Sequence, residues 1–165
     1  MPVLASNGVI HVIDTVLVPP VTLPADGFQK LMSDDYSGRG NACMEVKGGI
    51  ATNGQRVMLG DCTATGGGWK VNDKDMIHSE LNDDFCLQAG YGGHHDMVGR
   101  VLRIQRCDEH NHLQRWDFKD GKELKPELND HLCVVWRGTT ANVGTDPMIL
   151  LDCDSVHGKE NWRLV

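Results

Sequence analysis

Six cysteines, at positions 43, 62, 86, 107, 133 and 153, are the residues of this chain whose type and spacing most plainly suit chemistry. Cysteines serve metal ligation, nucleophilic attack or disulfide bonding. Zinc sites usually carry C-x2-C pairs, and none occurs here. The cysteines fall instead into three pairs, 19, 21 and 20 residues apart, which leaves none over for nucleophilic work. The carboxylates Asp83 and Asp84, or Asp152 with Asp154, could act as acid and base, but aspartates in such settings cap turns. Glycoside hydrolysis would need two carboxylates held across a cleft. No Gly-x-Ser-x-Gly elbow, HExxH helix or phosphate loop is present. No catalytic residue, metal site or cofactor is therefore expected.

One loop has a richer set of groups. GYGGHHDMVG, Gly90 to Gly99, offers Tyr91 as a stacking ring beside His94, His95 and Asp96. It reads either as a polar pocket with an aromatic wall or as a solvated hairpin whose glycines permit tight turns. Neighbouring histidines on an extended strand point to opposite faces, and no third ligand is evident.

The elements that must position these groups are strands. The 165 residues suffice for one ordinary domain with a short extension. Short apolar runs separated by Gly, Asn and Asp recur throughout, and no segment keeps helical periodicity over a dozen positions. With 16 basic against 23 acidic residues the net charge is -7, which repels phosphate backbones and argues against a nucleic-acid partner. No apolar run is long enough for a membrane span, and no secretory signal is visible.

The cysteine pairs belong to an internal repeat. Trp69, Trp116 and Trp162 follow the three pairs at 7, 9 and 9 residues, which defines three copies of about 45 residues. ELND recurs at Glu80–Asp83 and Glu127–Asp130, each three residues before a cysteine. Each copy supplies four candidate strands. They are FQKLM, ACMEV, RVMLGDC and WKV; MIHSE, FCLQA, RVLRIQRC and RWDFK; and ELKPE, LCVVW, PMILLDC and NWRLV. Twelve strands in three equal units predict a closed all-β assembly over residues 27–165, with repeats at about 27–72, 73–119 and 120–165. The recurrent tryptophans are core candidates. Trp136 breaks the repeat, since Val46 and Ala89 hold the equivalent positions, and reads as an exposed anchor or as a larger core residue.

Cysteine pairs about twenty residues apart, followed by Gln-x-Trp, resemble the ricin-B-type lectins. Gln114-Arg115-Trp116 matches that motif, while Gly67-Gly68-Trp69 and Glu160-Asn161-Trp162 keep only the tryptophan. The resemblance implies a β-trefoil of three four-stranded repeats with one disulfide per repeat: Cys43–Cys62, Cys86–Cys107 and Cys133–Cys153. Such bonds imply an oxidising compartment: extracellular, secretory or an organelle lumen. It further implies a non-catalytic module that binds a glycan or glycoprotein. In the family an Asp two residues after the first cysteine accepts sugar hydroxyls, an aromatic two before the second stacks on the ring, and Asn-Gln precedes the tryptophan. Here those positions hold Glu45, Gly60 and Gly66-Gly67; Gln88, Gln105 and Leu113-Gln114; and Val135, Leu151 and Lys159-Glu160. No lobe has the full set. Glu45, Gln88, Tyr91 and Gln114 are the sugar-binding candidates. The other reading is a disulfide-stapled scaffold that has lost sugar binding and engages a protein assembly.

Residues 7–20, NGVIHVIDTVLVPP, resemble the closing strand of a fasciclin (FAS1) domain, joined through the linker 21–26 to the trefoil. Val9, Ile10, Val12 and Ile13 of this stretch, with Trp136, are the candidate contacts to a protein partner.

Overall fold

The structure is a computed structural model that describes residues 27–34, 42–92, 95–118, 122–137, 143–156 and 160–165, together with the backbone of 3–5 and 8–10. Strands β1 (Val3–Ala5) and β2 (Gly8–Ile10) pair antiparallel as a two-stranded sheet. The sequence reading has a strand beginning at residue 7 but none at Val3–Ala5. Most of the FAS1-like stretch, including Val12 and Ile13, and the linker 21–26 lie outside the described residues.

Twelve further strands follow, four per repeat. The first repeat holds β3 (Gln29–Ser33), β4 (Ala42–Val46), β5 (Val57–Asp61) and β6 (Gly68–Val71). The second holds β7 (Ile77–Ser79), β8 (Asn82–Gln88), β9 (Arg103–Arg106) and β10 (Trp116–Asp117). The third holds β11 (Lys125–Pro126), β12 (Leu132–Trp136), β13 (Met148–Asp152) and β14 (Trp162–Leu164). Each of the twelve candidate strands is present.

The first and last strands of the repeats close a six-stranded ring. β3 pairs with β6, β6 with β7, β10 with β11 and β14 with β3. The bridges Met76↔Arg115 and Glu123↔Asn161 complete it. The middle strands form three hairpins, β4–β5, β8–β9 and β12–β13, which cap the ring. This is a β-trefoil. Closure leaves the ring without a free edge to recruit other strands.

The hairpins are tied to one another by backbone hydrogen bonds that obey the threefold. Leu59, Ile104 and Leu150 N–H donate to the carbonyls of Asp146, Gln55 and Arg100 at 2.8, 2.9 and 3.1 Å. Gly54, Gly99 and Gly144, with φ of 82, 78 and 83°, sit at equivalent turns and donate to Ile104, Leu150 and Leu59 at 2.9, 2.6 and 2.7 Å. Glycine suits these turns because a side chain strains a left-handed backbone.

The core repeats in the same way. Met44, Leu87 and Val134, with Leu59, Ile104 and Leu150, are wholly buried around Trp69, Trp116 and Trp162. Each indole Nε1–H donates to the carbonyl one residue after the first cysteine of its repeat: Trp69 to Met44 at 2.8 Å, Trp116 to Leu87 at 3.0 Å, Trp162 to Val134 at 2.8 Å. Trp136 is also core, 4% exposed and edge-on to Trp162 at 6.4 Å, so the exposed-anchor reading of this residue is corrected. The disulfides are Cys43–Cys62, Cys86–Cys107 and Cys133–Cys153, consistent with an oxidising compartment.

Two stability tests follow. Trp116→Phe leaves the buried Leu87 carbonyl without its indole donor and is expected to cost about 1–3 kcal/mol in urea unfolding. Replacing Cys86 and Cys107 together by serine is expected to cost about 2–5 kcal/mol, the range for a small domain that loses a native bridge. A loss below that range would show that the ring and cap hold without this bond.

Candidate functional site

The three lobes share a backbone, so the equivalent surface can be compared lobe by lobe. In the third lobe it is filled. Val135, Ile149 and Val156 are buried, with Leu151 and Val101 packed on them beside the Cys133–Cys153 bond. Among the described residues, the side chains at the family's acid and stacking positions there, Val135 and Leu151, carry no hydrogen-bonding group.

In the first lobe Glu45 lies on β4, one residue short of its end. A Cβ built on Gly60 would fall against the Glu45 side chain, so the carboxylate occupies the space where a stacking ring would stand. Burial, and then the Asp61 carboxylate, raise the Glu45 carboxyl above its ordinary value, while Lys30 pulls it partly back. Asp61 itself is held low by the N–H and hydroxyl of Thr63, at 2.9 and 2.8 Å. Lys30 Nζ reaches the Ala64 carbonyl at 3.2 Å and Glu80 at 3.4 Å. The first lobe thus offers an acceptor and a cation, with a glycine at the position where the family stacks a ring.

The second lobe holds a polar depression of about 280 Å³, lined by Asn53, Gln88, Gln105, Arg106, Asp108, Asn111 and Gln114. Its floor is a closed amide network. Gln88 Oε1 accepts from Asn111 Nδ2 at 3.0 Å and from Gln114 Nε2 at 3.1 Å, and Gln88 Nε2 donates to the Gly90 carbonyl at 2.7 Å. Gln114 Nε2 also donates to the Arg106 carbonyl at 2.9 Å, and its Oε1 accepts from Asp108 N–H at 2.9 Å. Both glutamines are buried and largely saturated. They fix the loop after Cys107, whereas the less buried groups of the lining are Asn53, Gln105, Arg106, Asn111 and Asp108.

The depression is built by two lobes. Asn53, from the first hairpin, accepts Arg106 N–H at 3.0 Å. It stands beside Gly54, whose N–H crosses to Ile104. Sequence spacing gives no cue to it. Asn111 was also missed, although it caps the short 3-10 turn His112–Gln114 by accepting Leu113 N–H at 3.1 Å.

Tyr91 is half exposed and does not line the depression. A Cβ on Gly54 would meet its hydroxyl, and the Arg103 guanidinium lies over its ring at 5.0 Å. Arg100 folds the rest of that loop, donating from Nε to the Asp96 carbonyl at 3.0 Å and from Nη2 to the His95 carbonyl at 2.6 Å. His94 lies outside the described residues. So the structure joins Gln88 to Gln114, sets Tyr91 beside Arg103, and leaves Glu45 in another lobe. Among the described residues His78, Cys86 and Cys107 bring their ligand atoms within 4.8 Å, but the two sulfurs are bonded to each other and are not free to hold a metal.

The sequence family of the ricin-type beta-trefoil lectin domain matches residues 36–162. The chain belongs to that family. Its fold is shared with the earthworm R-type lectin C-half in complex with GalNAc, at a TM-score of 0.66 and 13% identity over 84% of this chain and 97% of that one. The Vibrio vulnificus hemolysin/cytolysin β-trefoil lectin with N-acetyl-D-lactosamine bound has a TM-score of 0.64 at 14% identity, covering 84% and 93%. The designed threefold-symmetric protein ThreeFoil has 0.68 at 17%, covering 85% and 99%. At these identities the likeness shows the fold alone. No curated protein matches the lectin-domain chain significantly in sequence. Among the described residues no helix is long and apolar enough to cross a membrane.

The raised Glu45 carboxyl gives a pH test. A folded-state value above the unfolded one favours the folded protein while the group is protonated. Its contribution is complete below the ordinary glutamate range and lost as pH rises through the raised value. Glu45→Gln removes that loss. Its melting temperature is expected to equal or exceed that of the parent at neutral pH, with the gap changing only across the acid range; a pH-independent gap would assign Glu45 no titrating role.

Proposed function

We propose that this domain is a non-catalytic carbohydrate-binding module whose working site is the second-lobe depression. The observation that carries this reading is the lining itself. Seven polar side chains surround the depression at the place where the family resemblance expects a sugar. Saccharides present a rim of hydroxyls that must each find a partner once dehydrated. Asn53 and Asn111 supply amide N–H donors, Asp108 an acceptor and Gln105 both. With Gln105 where the family stacks an aromatic, the sugar is held edge-on by hydrogen bonds and affinity is modest. Glu45 and Lys30 form a second, weaker locus in the first lobe. The oxidising setting is extracellular, within the secretory pathway or an organelle lumen.

A second reading rests on the β1–β2 sheet. Two strands alone are marginal in water, which favours pairing of residues 1–20, FAS1-like in their later part, with a protein partner. Deleting residues 1–20 would then abolish association while leaving the trefoil melting temperature unchanged.

Titration calorimetry against simple neutral sugars tests the main reading. Binding is expected in the millimolar range, about -4 kcal/mol. Gln105→Ala with Asn53→Ala should weaken it at least about tenfold, because less buried lining groups are removed while the Gln88–Gln114 floor stays intact. Val135→Ala should leave it unchanged. Absence of binding to any sugar at millimolar concentration would refute the reading.

A further inference from the structure

The threefold exposes one position where the second lobe departs sharply from the other two. Neighbouring hairpins meet through one β-bridge each, and the partners are Val101 with Ile149, Pro147 with Met58, and Arg56 with Arg103. Two contacts are apolar. The third makes two arginines cross-strand partners, an arrangement that places Cβ atoms about 4.5–5.5 Å apart and in which like charges are destabilising. Among the described residues neither arginine is ion-paired with a carboxylate. In a chain of net charge -7, that pairing is not forced by a shortage of acidic residues.

Arg103 is also held in place. Its Nη1 donates to the Gly54 carbonyl at 2.7 Å, and its plane rests over Tyr91. Those contacts fix the guanidinium while using one N–H of five. Arg103 is the cross-strand partner of Gln88 and lies two residues from Gln105, so it shares that residue's face of β9 and stands beside the depression rather than in its lining. Arg56 is exposed. If packing were the only demand here, an apolar pair would serve, as in the other two bridges.

We propose that Arg56 and Arg103 bind an anionic group, a carboxylate or sulfate ester, on the saccharide that enters the second-lobe depression. The ligand class is an acidic glycan. This rests on the carbohydrate-binding reading and deepens it. An anion bound between the two arginines would screen their repulsion, and a planar guanidinium suits two oxygens of one carboxylate or sulfate. Tyr91 then supports Arg103 and is not itself a sugar platform.

The test is titration calorimetry with lactose, sialyllactose and a sulfated lactose at low and at high salt. At low salt both anionic sugars should bind about tenfold or more tightly than lactose, and the advantage should shrink as salt screens it. Arg103→Gln should bring the ratio of anionic to neutral affinity to about one. Arg56→Gln, at an exposed position, should lower the same ratio severalfold. A preference for only one of the two anionic sugars identifies which anion is recognised and still supports the proposal. Equal binding of lactose and both anionic sugars, or a ratio untouched by either substitution, overturns it while sparing the carbohydrate reading. A polyglutamate peptide that binds as tightly as the acidic sugars also overturns it. If no sugar binds, both readings fall together.

Discussion

The hydrogen bond from each repeat's tryptophan to the carbonyl after its first cysteine is the constraint on which the rest of the structure depends. An indole buried in the core must spend its N–H somewhere. Here each spends it on the strand that opens the cap hairpin of its own repeat. The bond therefore ties ring to cap three times. The disulfide in each repeat begins one residue earlier, at Cys43, Cys86 or Cys133. A covalent and a polar tether thus fix the same short stretch of strand, and the face of the hairpin is set from both sides.

With the backbone held in this way, the three outer surfaces can diverge without changing the fold. The first lobe has become a carboxylate folded over a glycine, the second an amide network, the third an aliphatic plug. The physical cost differs between them. Val135 and Ile149 add to burial and stabilise. Glu45 is partly desolvated beside Asp61, an arrangement that opposes its ionisation. Gln88 and Gln114 avoid such a penalty because each buried amide finds partners within the lobe.

Much of the fold was legible because it is periodic. The cysteine and tryptophan spacing marks the repeats, and ACMEV coincides with β4 from Ala42 to Val46. Legibility fails where pairing is set by neighbours. RWDFK reads as a five-residue strand but only Trp116–Asp117 forms a ladder, since its partner β11 is just Lys125–Pro126, and Arg115 adds a single bridge to Met76. In the site, position in the repeat located Gln88 and Gln114 but not their roles. By type they are ligand groups; by contact they form the floor of the depression. Asn53 was invisible because it reaches the second lobe from the first, 53 residues from the amide it caps.

That crossing matters beyond one residue. Because the glycine turns of each hairpin donate into the next lobe, no lobe owns its surface alone. Gly54 N–H bonds Ile104, the Gly54 carbonyl accepts from Arg103, and Asn53 accepts from Arg106. A change in the first hairpin therefore bears directly on the second lobe's depression. The same dependence explains why the three outer surfaces can differ while the sequence keeps three copies. The third copy closes the ring and buries its aliphatic face, and the first carries the turn that reaches into its neighbour.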